Sequence, residues 1–407
     1  MQNFAESFYH QTTGYSPIYG DREKQFVRGV CKELYRLHSS GFRKAWNDFC
    51  RSRSGVSKRE SGREMWFKKR FPTINSYLYP FDELTLMLGE EKMREILFIR
   101  ETSELLKIWE GHKLSKEHAT EISGIKNVQW TDEFDHYLRI LARENSIIYL
   151  NANECSSPAE PLHLSRDARF RRRCQELYQN HQYRRLGPVM HRLRQEKSQI
   201  EIDQLQTACD ITAKGFRRVL EFLKPGVMEY EVEAELIHEF IRHGSRGFAY
   251  EPIIASGKNS CVLHYLSNDQ KCRDGDLLLL DVAAEYANYN ADLTRTIPVS
   301  GKFTTRQRAV YEAVLRIFRL CIEELIVPGK DMREVYAKEV ARATEEELIN
   351  LGLLDPEVVA KERKENALPE EQRSYRKYFM HGVSHSLGID VHDVTSIEKV
   401  FVEQLHQ

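Results

Sequence analysis

Apolar residues recur every three or four positions between Ile202 and Leu223, at Ile202, Leu205, Cys209, Thr212, Phe216, Leu220 and Leu223. That spacing predicts an amphipathic helix, and Lys224-Pro225-Gly226 stops it. A second helix follows with Val232, Leu236, Ile237, Phe240 and Ile241, ending at Gly244. Strands with Ile253, Ile254, Val262 and Tyr265 come next. Leu277 to Leu280 is a short, fully apolar run bounded by Asp274-Gly275-Asp276, which is how a buried strand reads. Leu293 to Val299 is a second strand-like run, and Tyr286, Ala287 and Asn288 between them form a plausible turn. The plan then recurs. Gln307 to Leu325 has helical spacing, Val327-Pro328-Gly329 stops it, and another helix runs from about Met332 to Leu351. After a polar insert, Pro356 to Arg376, the stretch Tyr378 to Gly382 reads as new strand material. The two stop signals, Pro225 and Pro328, lie 103 positions apart. Two such halves packed face to face would bring their strand ends to one central site.

The first part of the chain reads differently. Leu84 to Leu88, Glu95 to Ile99, Asn127 to Trp130 and Ser146 to Leu150 read as strands. Ser115 to Ser123 and Thr131 to Glu144 read as helices, so this is a small α/β domain. Cys155 to Arg173 is polar, holds Pro158 and Pro161, and reads as a linker. Phe26 to Leu37 has weak helical spacing, and Ser52 to Glu64 reads as loop or disordered chain.

Composition narrows the class. With 407 residues, 41% apolar and 30% charged, the chain has room for two or three ordinary domains. A net charge of −1 gives no reason to expect nucleic acid or an anionic membrane as partner. No stretch approaches the ~20 apolar residues of a membrane span. Met1 to Thr13 contains Glu6 and His10 and does not read as a signal peptide. The eight cysteines form no Cys-x-x-Cys pair, which favours reduced thiols and a cytoplasmic location.

The chemistry concentrates on the hairpin. Folded about Tyr286 to Asn288, it puts Asp281 about opposite Asp292, with Cβ atoms roughly 5 Å apart. Two buried carboxylates at that spacing repel, and a divalent cation between them removes the conflict. With added histidine the site suits Mn, Co, Zn or Fe. His264 precedes the hairpin, and His381, His385 and His392 fall within twelve residues beside glycines. Such histidines can ligate a metal or donate to a carbonyl oxygen or tetrahedral intermediate. Asp390 and Asp393 read as their local hydrogen-bond partners.

Together, Leu-Leu-Leu-Asp281, Asp292-Leu-Thr-Arg-Thr, His264-Tyr265 and His381-Gly-x-x-His385-x-x-Gly-x-Asp-x-His392-Asp resemble aminopeptidase P. This is the Xaa-Pro aminopeptidase group of the creatinase, prolidase and methionine aminopeptidase superfamily. The resemblance runs over about residues 76 to 394 and includes His191-Arg-Leu-Arg and Ile108-Trp109-Glu110-Gly111. It implies an α+β chain: a pita-bread catalytic domain with an internal pseudo-twofold repeat behind a smaller α/β creatinase-type domain. The implied divisions are a poorly matching segment 1–75, the rest of the N-terminal domain 76–165, a linker region 166–190, and the peptidase domain 191–407. It further implies a two-metal centre, usually manganese. The activity implied is release of an N-terminal residue that precedes proline, through a hydroxide bridging the metals. The partners implied are peptides with proline in second position and a second copy of the chain in a homodimer or higher oligomer. Asp281, Asp292 and His385 match metal ligands; His264, His381 and His392 match histidines that orient substrate and stabilise the intermediate. The family supplies two further glutamate ligands, one in a Glu-Pro-Gly motif. Ser396 to Gln407 holds Glu398 and Glu403 but neither family motif, so the chain is expected to be C-terminally incomplete, with three of five protein ligands. Two alternatives stay open: a non-catalytic pita-bread module that binds peptide or protein, and a prolidase-type dipeptidase.

Overall fold

The computed structural model describes residues 48–53, 83–89, 94–101, 103–111, 114–150, 166–327, 335–365 and 372–394. The reading of Phe26 to Leu37 as helix, and Glu398 and Glu403, lie outside these residues.

The N-terminal part is a six-stranded mixed sheet: β1 (Asp48–Arg53), β2 (Glu83–Gly89), β3 (Arg94–Ile99), β4 (Asn127–Trp130), β5 (Ile147–Leu150) and β6 (Gln182–Arg185), in the order β4-β3-β2-β1-β5-β6. β1, β2 and β3 pair antiparallel, whereas β3 with β4, β1 with β5, and β5 with β6 pair parallel. Helices α1 (Glu104–Glu110), α2 (Lys116–Ser123) and α3 (Phe134–Glu144) connect these strands. Ser115 starts α2 by accepting from the His118 amide at 3.1 Å. Gly124, at φ 74°, ends it in the left-handed conformation a helix stop requires.

Two expectations change here. The polar stretch expected to be linker holds helix α4 (Arg166–Leu177). Its Phe170 and Cys174, one turn apart, bury against Ile96, Phe98, Phe134, Leu138, Leu141, Ile148 and Leu150. β6 then adds to the sheet edge, so residues 166–185 build the first domain and do not link it to the second. β1, Asp48–Arg53, lies in the poorly matching segment 1–75 and pairs into this sheet, so Ser52 and Arg53, read as loop, are strand.

Helix α5 (Gly187–Gln195) leads into the second part of the chain. There α6 (Gln199–Phe222) and α7 (Glu229–Arg242) pack on a three-stranded antiparallel sheet, order β11-β8-β7: β7 (Ile253–Ser256), β8 (Leu277–Asp281) and β11 (Thr294–Pro298). A small hairpin, β9 (Glu285–Tyr286) and β10 (Tyr289–Asn290), sits between β8 and β11. Ala287 (φ 48°) and Asn288 (φ 68°) form its turn, both left-handed, as a tight two-residue hairpin demands. Ser198 and Glu201 cap α6 reciprocally. The core is Ile211, Val219, Val232, Leu236, Phe240, Ile254, Leu278, Leu280 and Val299, with Cys272.

The second half begins as the repeat predicts, with α8 (Thr305–Leu320), a π turn at Cys321–Leu325, and α9 (Val335–Asn350). The polar insert carries α10 (Pro356–Glu365) and a short 3-10 turn at Ser374–Lys377. Tyr378 to Gly382 was expected to be strand and is irregular chain. Among the described residues after α9, strand pairing is limited to one bridge, Ser386 with Asp393. Val262 and Tyr265 also leave the strand reading: they lie in a turn-and-loop segment after β7, and Val262 is exposed. Among the described residues no helix is long and apolar enough to cross a membrane.

Candidate active site

Asp281 closes β8. Its register partner on β11 is Thr294, not Asp292 as the simple hairpin predicted. The β9–β10 hairpin absorbs the intervening residues and leaves Asp292 two positions before Thr294. A two-residue step preserves the face of an extended chain, so the carboxylates still meet. They meet through Tyr250: its hydroxyl is 2.7 Å from Asp281 Oδ1 and 3.1 Å from Asp292 Oδ1. The Ala249 amide, donating to the Ala283 carbonyl at 2.8 Å, fixes the backbone beside Tyr250. Burial, reinforced by the Asp281 charge, pushes the phenol far above its usual range and keeps it protonated. One hydroxyl proton thus faces two carboxylates, and a single donor satisfies one of them at a time.

The histidine segment closes the other side. The Asp393 amide donates to the Ser386 carbonyl at 2.8 Å, making a neck between residues 386 and 393. His385 and His392 stand one residue before each side of that neck, and their ring centroids are 4.0 Å apart. The Asn290 amide donates to Gly388 O at 2.9 Å, and Asn290 Nδ2 donates to Ile389 O at 2.6 Å. Asn290 precedes Asp292 by two residues, so these bonds carry the histidines to the carboxylates. His385 Nε2 lies 2.9 Å from Asp292 Oδ2. Candidate ligand atoms of Asp292, His385 and His392 all lie within 4.8 Å of one another. Oxygen and imidazole donors at this spacing, with two carboxylates sharing one proton, fit a divalent ion.

The six residues singled out from the sequence fall into two groups. Asp281, Asp292, His385 and His392 are joined by the contacts above. His264 is exposed in the segment after β7, and His381 is exposed with its Nδ1 2.8 Å from Gly382 O and its ring against Phe379. His392, read as a substrate-facing histidine, lies beside the expected ligands Asp292 and His385. Asp390 and Asp393, read as local partners of the histidines, instead bind Arg194, nearly two hundred positions earlier. Tyr250 escaped the sequence reading because Ala-Tyr-Glu carries no motif; only folding puts it over the carboxylates.

Comparison with known proteins identifies the family. Residues 203–405 match the model of metallopeptidase family M24, and residues 77–149 match the aminopeptidase P N-terminal domain. A Haemophilus influenzae Xaa-Pro aminopeptidase is 35% identical over 79% of this chain and 70% of its own length. The chain belongs to the aminopeptidase P group of the M24 metallopeptidases. An Escherichia coli Xaa-Pro aminopeptidase is 36% identical over 74% of this chain and 66% of its own length. Human Xaa-Pro aminopeptidase 3 is 30% identical, and the chain spans 57% of its length. Proline aminopeptidase P II from Yersinia pestis superposes with a TM-score of 0.74 at 30% identity, covering 93% of this chain and 84% of that one. A solved Escherichia coli aminopeptidase P variant in complex with substrate gives 0.73 at 30% identity, covering 91% and 83%. The fold is therefore the α+β pita-bread fold behind an aminopeptidase P N-terminal domain, and the chain is a metallo-aminopeptidase of Xaa-Pro type by family. These relatives do not favour the binding-module or prolidase alternatives.

Proposed function

We propose that this chain releases the N-terminal residue of peptides whose second residue is proline, using a divalent metal centre held by Asp281, Asp292 and His385. Manganese is the ion proposed, and two ions are the proposed complement. The observation that carries this reading is the single arrangement of His385 Nε2 2.9 Å from Asp292 Oδ2 with Tyr250 bridging Asp292 to Asp281. When bound, the ions supply Lewis-acid polarisation of the scissile carbonyl and an activated water. The chain's own groups do the rest. Asp281 and Asp292 bring their carboxylate oxygens to the reacting centre, and the Tyr250 hydroxyl, within 2.7 and 3.1 Å of them, donates to one at a time. His392, stacked on His385, is placed to donate toward developing charge on the substrate carbonyl. His264 and His381, both exposed, are available to orient an incoming peptide. A cytoplasmic site of action and a homo-oligomer are part of the same proposal.

The test is manganese titration by calorimetry, with cleavage of an Xaa-Pro-Xaa tripeptide measured in parallel. Asp292→Asn removes one of two repelling carboxylates. It is expected to leave the metal-free protein at least as stable as the parent while lowering manganese affinity at least tenfold and abolishing cleavage. Parent protein that takes up no manganese, or a variant that cleaves as fast as the parent, overturns the reading.

A further inference from the structure

The side chain of Arg194 is 1% exposed, at the end of α5, in the segment that joins the two domains. Its Nη2 donates to Asp390 Oδ2 at 2.5 Å and also to Asp393 Oδ1. Lys197 Nζ holds the other Asp393 oxygen at 2.8 Å. Asp393 is itself 1% exposed, so its charge is buried and both its oxygens are taken by cations from the joining segment. A buried carboxylate left without such partners is strongly destabilising, which makes this pairing decisive for the conformation of the segment around it.

Asp390 and Asp393 are not arbitrary positions. Asp393 forms the neck of the histidine segment with Ser386, and Asp390 lies on the loop that the neck closes. The loop is tight: a Cβ on Gly388 would stand 2.2 Å from Asp393 Oδ2, so only glycine leaves room for the carboxylate that Arg194 grips. His385 and His392 flank the neck, and their 4.0 Å separation follows from it. Asn290 ties the loop to the chain just before Asp292 from one side, and Arg194 ties it to the joining segment from the other.

We infer that Arg194 is a positioning residue: by bracing Asp390 and Asp393 it fixes the His385–His392 pair at the distance from Asp292 that metal binding needs. It acts through the loop and touches no reacting atom. α5 follows β6 after one residue, so the brace also couples the edge of the N-terminal sheet to the metal site. The inference rests on the proposed metal role of the site, and the experiment separates the two.

Hydrogen exchange is measured on the metal-free full chain for the parent, Arg194→Met and Arg194→Lys, followed by manganese titration of each. In Arg194→Met, amides in 386–393 are expected to exchange about tenfold faster, while peptides from β8 and α6 keep their parent rates. Arg194→Lys, which keeps the charge but loses the fork, is expected to fall between them. Manganese affinity is expected to drop about 10- to 100-fold in Arg194→Met, the usual cost of losing a group that orients ligands. Should Arg194→Met not fold, Asp390→Asn makes the same test at the less buried end of the brace. Parent-like exchange in 386–393 overturns the brace, and so does acceleration spread evenly over the catalytic domain. Parent protein that binds no manganese overturns the metal role alone, because exchange still reads the brace.

Discussion

Tyr250 offers one proton to two carboxylates, and that fact orders the chemistry of the site at the scale of single residues. Without a cation, Asp281 and Asp292 repel, and the hydroxyl relieves part of the conflict. Tyr250→Phe removes the donor without changing the ring. Thermal unfolding of the metal-free variant is expected to show a loss of about 1.5–3 kcal/mol, the range for a hydrogen bond to a charged group. Saturating manganese is expected to shrink that loss, since the ions take over the restraint. An equal loss with and without manganese would show that the hydroxyl does not bridge the pair. The aspartates and histidines themselves were legible, because an acidic residue ending an apolar run and three close histidines are local patterns. Tyr250 and Arg194 were not read as site residues, since their partners lie 31 to 199 positions away.

At the scale of elements, the helix pair α6–α7 decides how firmly the sheet behind the site is held. Gly215 lies on the buried face of α6, and a Cβ there would meet Phe240 Cε1 at 2.6 Å and Leu236 Cδ2 at 3.3 Å. Replacing a mid-helix glycine by alanine gains about 0.8–1 kcal/mol of helix propensity. Overpacking against a fully buried phenylalanine costs about 1–3 kcal/mol. Packing therefore wins: Gly215→Ala is expected to lower the urea midpoint at unchanged m-value, and a raised midpoint would refute the close contact. Glu229 shows the same dependence on folding. Fully buried at the start of α7, it accepts from the Ser256 amide at 2.7 Å, the Tyr265 hydroxyl at 2.8 Å and the Gln270 amide at 2.9 Å. It thereby pins the segment that carries His264. Glu229→Gln keeps the shape but turns one acceptor into a donor facing donors. It is expected to cost about 1–3 kcal/mol and to raise KM more than it lowers kcat, as measured by steady-state peptide cleavage. Unchanged KM would separate that segment from substrate binding.

For the molecule as a whole, buried thiols lower stability at alkaline pH. Burial pushes Cys174 in the N-terminal core from 9.0 up to about 12, and Cys272 in the catalytic core from 9.0 up to about 11. Above pH 9 the unfolded chain loses these protons while the folded chain keeps them, so stability falls as pH rises. Each thiol contributes a slope of up to about 1.4 kcal/mol per pH unit. Below pH 9 both states hold the protons, and these groups add no pH dependence. Urea unfolding from pH 8 to 10.5 checks this, and Cys174→Ala is expected to remove one thiol's share of the slope. An unchanged slope would mean the thiol titrates alike in both states.

Local patterning determined the helices α6 to α9, the apolar strand β8 and the first domain's strands β2 to β5, and it pointed to the residue types of the candidate site. Each rests on side-chain periodicity or on neighbours within one short stretch. Tertiary structure alone decided that the polar Arg166–Leu177 is a helix, because Phe170 and Cys174 are the apolar side chains it buries in the first domain's core. It alone decided that Gln182–Arg185, with no apolar alternation, is a strand, because the backbone of β5 offers a parallel edge. It also set Asp281 against Thr294, by inserting the β9–β10 hairpin into the connection. The ion pairs of Arg194 with Asp390 and Asp393 belong to the same class: charges brought together from 196 and 199 positions apart leave no trace in spacing, since only the folded chain makes them neighbours.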